Sequence, residues 1–221
     1  MTRVLVLRPE PGAGATVARA HALGLDAVAV PLFEIEPVDW KAPEASGFDA
    51  LLLTSANAVR FGGGQLQRFR GLKTYAVGEA TAAAAREAGF HVVGTGDAGL
   101  DGLLESIEPH LKLLHLCGEE RREPEHARQE IKAVAVYRSV EIEEPMLRLS
   151  ADSVALIHSP RAGLRFAELV TERDSVAIAA ISCAAAEAVG SGWRAIESAA
   201  QPNDQALLAL AARLCNNSPP E

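Results

Sequence analysis

Two apolar runs of the same design, about 104 residues apart, constrain this chain more than any other feature. The first is Leu51-Leu52-Leu53-Thr54-Ser55-Ala56-Asn57-Ala58-Val59 and the second is Ala155-Leu156-Ile157-His158-Ser159-Pro160-Arg161-Ala162. Each is a short unbroken run, closed by a hydroxyl residue and followed by helix-compatible sequence. Such a run reads as a buried strand, and the Ser at its end as the N-cap of the next helix. At that junction backbone N–H groups and hydroxyls leave the carboxyl edge of a sheet. Open α/β folds bind anions and small molecules along that edge.

The two copies align beyond this motif. Ser55 pairs with Ser159, Val77 with Ile181, and Leu103-Leu104 with Leu207-Leu208 at one spacing, while Gly89-Phe90 faces Gly192-Trp193 with a slip of one residue. Repetition at a fixed interval marks duplicated units, so two similar α/β lobes are expected. The N-terminal stretch breaks the simple tandem. Arg3–Leu7 reads as a strand, Gly12–Leu23 as loop and helix stopped by Gly24, and Ala27–Val30 as a strand ending at Pro31. This β-α-β opening precedes the first copy, so the chain has to cross between lobes twice. Glu34–Val38 and Arg138–Pro145 read as the extended passages. The expected domains are 1–36 with 141–221 as one lobe and 37–140 as the other. Strand-to-helix turns of both lobes are expected to face a shared cleft. Inside the middle lobe the reading puts a helix at Glu125–Lys132 and a separate strand at Ala133–Tyr137, and it takes the tail Asn216–Glu221 as frayed.

Composition and motifs narrow the function by exclusion. A net charge of −8 argues against non-specific nucleic-acid binding. No stretch approaches the roughly 18 uninterrupted apolar residues of a membrane helix, and the early Arg3–Leu7 run is too short for a signal peptide. Cytoplasm and a monomer are the expectation. Cys117, Cys183 and Cys215 form no CxxC pair and read as buried thiols. Gly12-Ala13-Gly14-Ala15-Thr16-Val17 approaches a dinucleotide fingerprint but ends in Val17, where close helix–strand packing needs Gly or Ala. His115 and Cys117 would share one strand face, yet no third metal ligand stands at a sensible spacing. Ser55 and Ser159 lack the flanking glycines of a nucleophile elbow, so they are read as caps that hydrogen-bond a ligand. Neither a metal nor an organic cofactor is expected.

Two further residues stand out. Arg122, in the charge run Glu119–Glu123 after a buried strand, is a candidate to bind a carboxylate. Tyr137 ends a strand just before the second passage, where it reads either as a core-edge tyrosine or as a phenol that can give a proton or hydrogen bond to a leaving hydroxyl.

Taken in order, several short segments resemble the uroporphyrinogen-III synthase family. They are the opening Arg8-Pro9, Leu53-Thr54-Ser55-Ala56-Asn57-Ala58-Val59, Val77-Gly78-Glu79-Ala80-Thr81-Ala82, the loop Gly118 to Arg122, Val136-Tyr137, Ser159-Pro160 and Pro202-Asn203-Asp204-Gln205-Ala206-Leu207. The resemblance implies two flavodoxin/Rossmann-like parallel-sheet lobes joined by a two-stranded connector. It implies a cofactor-independent lyase of heme biosynthesis, which cyclises linear hydroxymethylbilane with inversion of ring D and loss of water. By position, Tyr137 is the implied proton donor. Thr54, Ser55, Gly78, Thr81, Ser159 and Ser182 are implied to line the cleft, with Arg122 as a loop cation. One turn departs from the family pattern. Where a Gly-Pro-Thr-Thr-like turn is usual, this chain has Ile181-Ser182-Cys183-Ala184-Ala185. That departure keeps a second reading open, a paralogue that binds a tetrapyrrole or another small anion without turnover.

Overall fold

Short apolar runs alternating with helices build two parallel sheets. A computed structural model describes residues 2–96, 99–147 and 153–216, and the end of the predicted frayed tail lies outside them. The chain divides into two compact units, Met1–Glu34 with Glu141–Glu221, and Ile35–Val140. In chain order the elements are β1 (Arg3–Val6), α1 (Gly12–Ala22), β2 (Asp26–Ala29), β3 (Phe33–Pro37), β4 (Ala50–Leu53), α2 (Ala56–Phe61) and β5 (Lys73–Val77). Then follow α3 (Glu79–Glu87), β6 (His91–Gly96), α4 (Gly99–Ser106), β7 (Lys112–Gly118) and β8 (Glu130–Glu141). The last third holds β9 (Ser153–Ile157), α5 (Pro160–Leu169), β10 (Val176–Ala180), α6 (Cys183–Ala188), β11 (Ala195–Ser198) and α7 (Asp204–Asn216).

The unit that contains the chain's start has a sheet of order β11-β10-β9-β1-β2, and the strands pair in parallel. Because side chains alternate along a strand, each strand feeds two cores. Leu5, Leu7, Ala155, Ile157 and Ile178 face one way and pack with Ala162 and Phe166 of α5 and Ala185 of α6. Val4, Val6, Val154, Leu156 and Ala177 face the other way and meet Ala13 and Ala20 of α1 and Leu207, Leu208 and Ala211 of α7. Burial on both faces is what an unbroken apolar run requires.

The middle unit has a sheet of order β3-β8-β7-β4-β5-β6. Omitting β3, its order from β6 to β8 matches that of the other sheet from β11 to β2, with β4 in the place of β9. Leu51, Leu53, Leu114 and Leu116 pack with Ala58 of α2 and Ala85 of α3, while Leu52 and Leu113 pack with Leu103, Leu104 and Ile107 on the α4 side. Most strand and helix expectations land within a residue or two of these bounds.

Two expectations fail. The segment predicted as a helix at Glu125–Lys132 contains no helix, and β8 begins at Glu130 and runs for 12 residues. Residues 125–130 carry only Ala127 as an apolar side chain, so a helix there would have no face to bury. Ile131 and Ala133 instead pair with Leu113 and His115 of β7. The crossover closes on a buried side chain. Gln129 Nε2 donates to the carbonyls of Leu104, Ile107 and Glu108 at 3.0, 2.8 and 3.2 Å, the last two just past the end of α4. Of the three thiols expected to be buried, Cys117 is, whereas Cys183 is exposed and Cys215 half-buried. Cys183 opens α6 and Cys215 lies in its last turn of α7, and helix ends reach solvent more readily than a central strand does.

Replacing Gln129 with Leu is expected to lower stability by about 1–3 kcal/mol, because those carbonyls lose their donor without regaining water. Urea unfolding with an unchanged m-value measures it, and a loss below about 0.5 kcal/mol would mean that water reaches the helix end.

Candidate active site

In each sheet the chain reverses its direction of winding at one strand. From β4 it proceeds to β5 on one side, while β7 returns on the other; β9 stands likewise between β10 and β1. Crevices at the carboxyl ends of strands beside such reversals are where open α/β sheets bind ligands. The candidate residues gather along these edges.

In the middle unit the edge is formed by the turns after β4, β5 and β7. Ser55 has the extended backbone of an N-cap and its Oγ accepts from the Asn57 N–H at 3.2 Å. Tyr137 on β8 stands opposite Gly118 at the end of β7, where the register shifts. The Ser55 hydroxyl stands near its phenol. Burial pushes the Tyr137 phenol above its ordinary value, while the neighbouring Ser55 hydroxyl pulls it down. The net shift is upward, so the group keeps its proton at neutral pH and can act as a donor. Gly118 makes this position possible. A Cβ there would lie 2.9 and 3.0 Å from Cε2 and Cζ of the Tyr137 ring.

Thr54 makes a different contact. Its Oγ1 lies 2.9 Å from Nε2 of His115, which is 2% exposed on β7. Burial, followed by the charge of Arg121, pulls the His115 pKa down to about 4. The imidazole is therefore neutral at physiological pH, a packed strand residue that orients Thr54. Gly78 precedes α3 with φ of 78°, and Thr81 lies inside the first turn of that helix, 5% exposed. Arg122 is exposed and pairs with Glu125 at 2.7 Å and Asp101 at 3.6 Å. The structure thus brings Tyr137 and Ser55 together, sets Thr54 beside them in sequence, and places Gly78 and Thr81 on the neighbouring turn. Arg122 it ties to carboxylates of its own unit.

The other unit repeats the capping chemistry. Ser159 Oγ accepts from Ala162 N–H at 3.2 Å at the start of α5, and Ser182 Oγ accepts from Ala185 N–H at 3.3 Å at the start of α6. These serines follow the adjacent strands β9 and β10. The hydroxyl of the altered turn is therefore engaged with its own helix. Among the described residues no group of three or more His, Cys, Asp or Glu could hold a metal ion, and no helix is long and apolar enough to cross a membrane.

The family model described as Uroporphyrinogen-III synthase HemD (HEM4) matches residues 14–209. The chain belongs to the uroporphyrinogen-III synthase family. Among solved structures it is similar to uroporphyrinogen-III synthetase from Helicobacter pylori 26695, with a TM-score of 0.67 and 18% identity over 97% of this chain and 100% of that one. It is also similar to a mutant uroporphyrinogen III synthase from the extremely thermophilic bacterium Thermus thermophilus, with a TM-score of 0.56 and 18% identity over 99% of this chain and 100% of that one. At such identity the likeness speaks for the fold. No curated protein sequence matches the chain.

Beside the positions implied by the family resemblance, the structure displays three features that sequence reasoning passed over. These are the Thr54–His115 bond, the clearance at Gly118, and a charge cluster of Arg8, His158 and Asp204. Signals existed for the last, since Arg8 and Asp204 lie in the family-like segments and His158 directly precedes Ser159.

Gly118→Ala is expected to displace the Tyr137 ring and cut kcat about tenfold or more while leaving the fold intact, because misplacement of about 1 Å can cost that much. Comparing kcat with the thermal midpoint checks this, and unchanged turnover would show that the ring has room to spare. His115 generates a pH dependence. The folded chain keeps it neutral down to about pH 4, whereas an unfolded chain protonates it near 6.5. Its contribution is complete above about pH 6.5 and fades as pH falls toward 4, about 3 kcal/mol at most. Urea titrations at pH 7.5 and 4.5 should show a smaller pH effect in His115→Gln by roughly that amount.

Proposed function

We propose that this protein cyclises hydroxymethylbilane to uroporphyrinogen III with loss of water, as a cofactor-independent lyase of heme biosynthesis. Family membership supports the reaction class. The observation that carries the reading in this chain is the protonated, half-buried phenol of Tyr137, near Ser55 and opposite Gly118 at the carboxyl edge of a sheet. Ser55 accepts from Asn57 N–H, so its own proton can go to the phenol oxygen. The Tyr137 proton is then left for the departing hydroxyl.

Pyrrole electrons expel the hydroxyl, which takes the Tyr137 proton and leaves as water, giving an azafulvene cation. The substituted carbon of ring D attacks it to form a spiro intermediate, which fragments and recloses with ring D inverted. Loss of a proton from the closing carbon restores the aromatic ring and reprotonates the phenolate. The protein's part is to hold the chain folded, supply one proton and exclude water.

The two units are read as two lobes, with β3 and β8 as the connector. Bonds from Val38 N–H to Val136 O and from Ile142 N–H to Leu32 O support that pairing. Thr54, Ser55, Gly78 and Thr81 would serve from one lobe and Ser159 and Ser182 from the other, mainly through helix-start amides toward acetate and propionate groups. Arg122 would assist only after releasing Glu125. The same reading makes the protein a cytoplasmic monomer acting on a small molecule, without nucleic acid or membrane. A second reading, binding without turnover, rests on the Ser182–Ala185 turn, whose hydroxyl is spent on its own helix.

The assay supplies hydroxymethylbilane to purified protein and separates the isomers. The type III product, formed faster than spontaneous closure, is expected. Type I alone would remove the synthase reading, and tight porphyrinogen binding without turnover would support the second. Tyr137→Phe is expected to lower kcat about a hundredfold with little change in product affinity, as for a proton donor acting in the transition state.

A further inference from the structure

The edge of the β1–β9 sheet holds a cation, Arg8, whose ion pair among the described residues is a long one. Val6 pairs with Leu156, so Arg8 and His158, each two residues further on, continue side by side past the strand ends. Asp204, the first residue of α7, is the anion between them. Its carboxylate accepts from Thr16 Oγ1 at 3.1 and 3.2 Å, from Arg19 Nε at 2.8 Å and from His158 Nε2 at 3.1 Å, and Arg19 Nη2 lies at 2.6 Å. Burial pushes the Asp204 carboxyl up, but hydrogen bonds from His158 and Arg19 and their charges hold it well below the usual carboxylate range. It stays ionised, and a carboxylate has about four lone-pair sites, which these donors fill.

Arg8 comes second. Its Nη1 stands 3.8 Å from Asp204 Oδ1, an ion pair without a hydrogen bond, and among the described residues Asp204 is its only charged partner. The guanidinium lies against the start of α1, where a Cβ on Gly12 would come within 2.6 Å of Nε and 2.9 Å of Cζ. Its side chain is 37% exposed, so the fork is reachable. Arg19 takes the direct hydrogen bonds to Asp204, so Arg8 is left with the longer contact. Glu10, two residues on in the same turn, accepts from the Gly14 N–H at 2.9 Å. His158 gives its Nε2–H to the same carboxylate and so helps to fix Asp204 beside Arg8.

We propose that Arg8 anchors a substrate carboxylate on this unit, with Asp204, itself fixed by Thr16, Arg19 and His158, as the residue that positions it. This rests on the synthase reading, whose substrate carries eight carboxylates, and it assigns one of them to a side-chain fork in place of a helix start. An Arg held by one carboxylate and offering its remaining N–H groups suits bidentate capture of another.

The test uses the intact protein with two readouts, steady-state turnover of hydroxymethylbilane and fluorescence titration with uroporphyrin, a stable octacarboxylate. Arg8→Gln is expected to raise KM and the porphyrin Kd about tenfold to a hundredfold, with kcat within about threefold, because a charge-assisted bond to the ground state is lost. Arg8→Lys should recover part of this, as a point charge without the fork. Asp204→Asn should raise KM in the same sense, and the double variant with Arg8→Gln should be no worse than Arg8→Gln alone. A merely structural Asp204 would give additive losses. Unchanged KM and Kd in folded Arg8→Gln would overturn the assignment while the wild type still makes type III product. A wild type that neither turns over nor binds uroporphyrin would defeat the synthase reading and this inference with it.

Discussion

A strand buried on both faces meets solvent only at its ends, and that constraint governs each unit of this protein. Leu51, Leu52 and Leu53 are fully buried, as are Val154, Ala155, Leu156 and Ile157. Neither strand has a side from which a polar group can reach outward until the chain turns. The first residue free to be polar is therefore close to the first residue of a helix cap. Ser55, Ser159 and Ser182 all accept an N–H of the helix they begin. The demands of burial and capping converge on one edge of each sheet, and that edge collects the hydroxyls, amides and charges that chemistry can use.

On that edge the two units use polar groups differently. The middle unit places a protonated phenol next to a serine, with a neutral imidazole behind Thr54. Desolvation produces both states: it raises a phenol and lowers an imidazole, because each is disfavoured when charged. The other unit concentrates charge around Asp204, with two arginines within ion-pair distance. A chain with a net charge of −8 thus keeps two guanidinium groups around one carboxylate beside the turn after β1. Global charge excluded a class of partners, but local geometry decides which groups a small anion meets.

Much of this was legible in advance because strand and cap signals are local. The apolar runs, the serines after them, and the glycines that end helices near Gly24 and Gly89 gave most element bounds to within a residue or two. The Ser55–Ser159 repeat anticipated matching positions in two sheets of the same strand order. The segment 125–132 was misread because its composition favours a helix, while the partner that made it a strand, β7, is a tertiary neighbour. Arg122 looked free in sequence and is paired, since Asp101 approaches from α4. Arg8 looked like part of a motif and is the less satisfied cation, because Arg19 and Thr16 reach Asp204 from another element.

The sequence by itself determined the α/β class, the positions of the capping serines and the family resemblance. Each of these depends on residues within a few positions of one another or on a repeat that alignment reveals. Only the tertiary structure decided that Tyr137 meets Ser55, that Gly118 clears space for its ring, and which arginine Asp204 leaves open. Those outcomes depend on distances between strands and helices far apart in the chain. Desolvation and hydrogen bonding take effect there only once the pieces are packed.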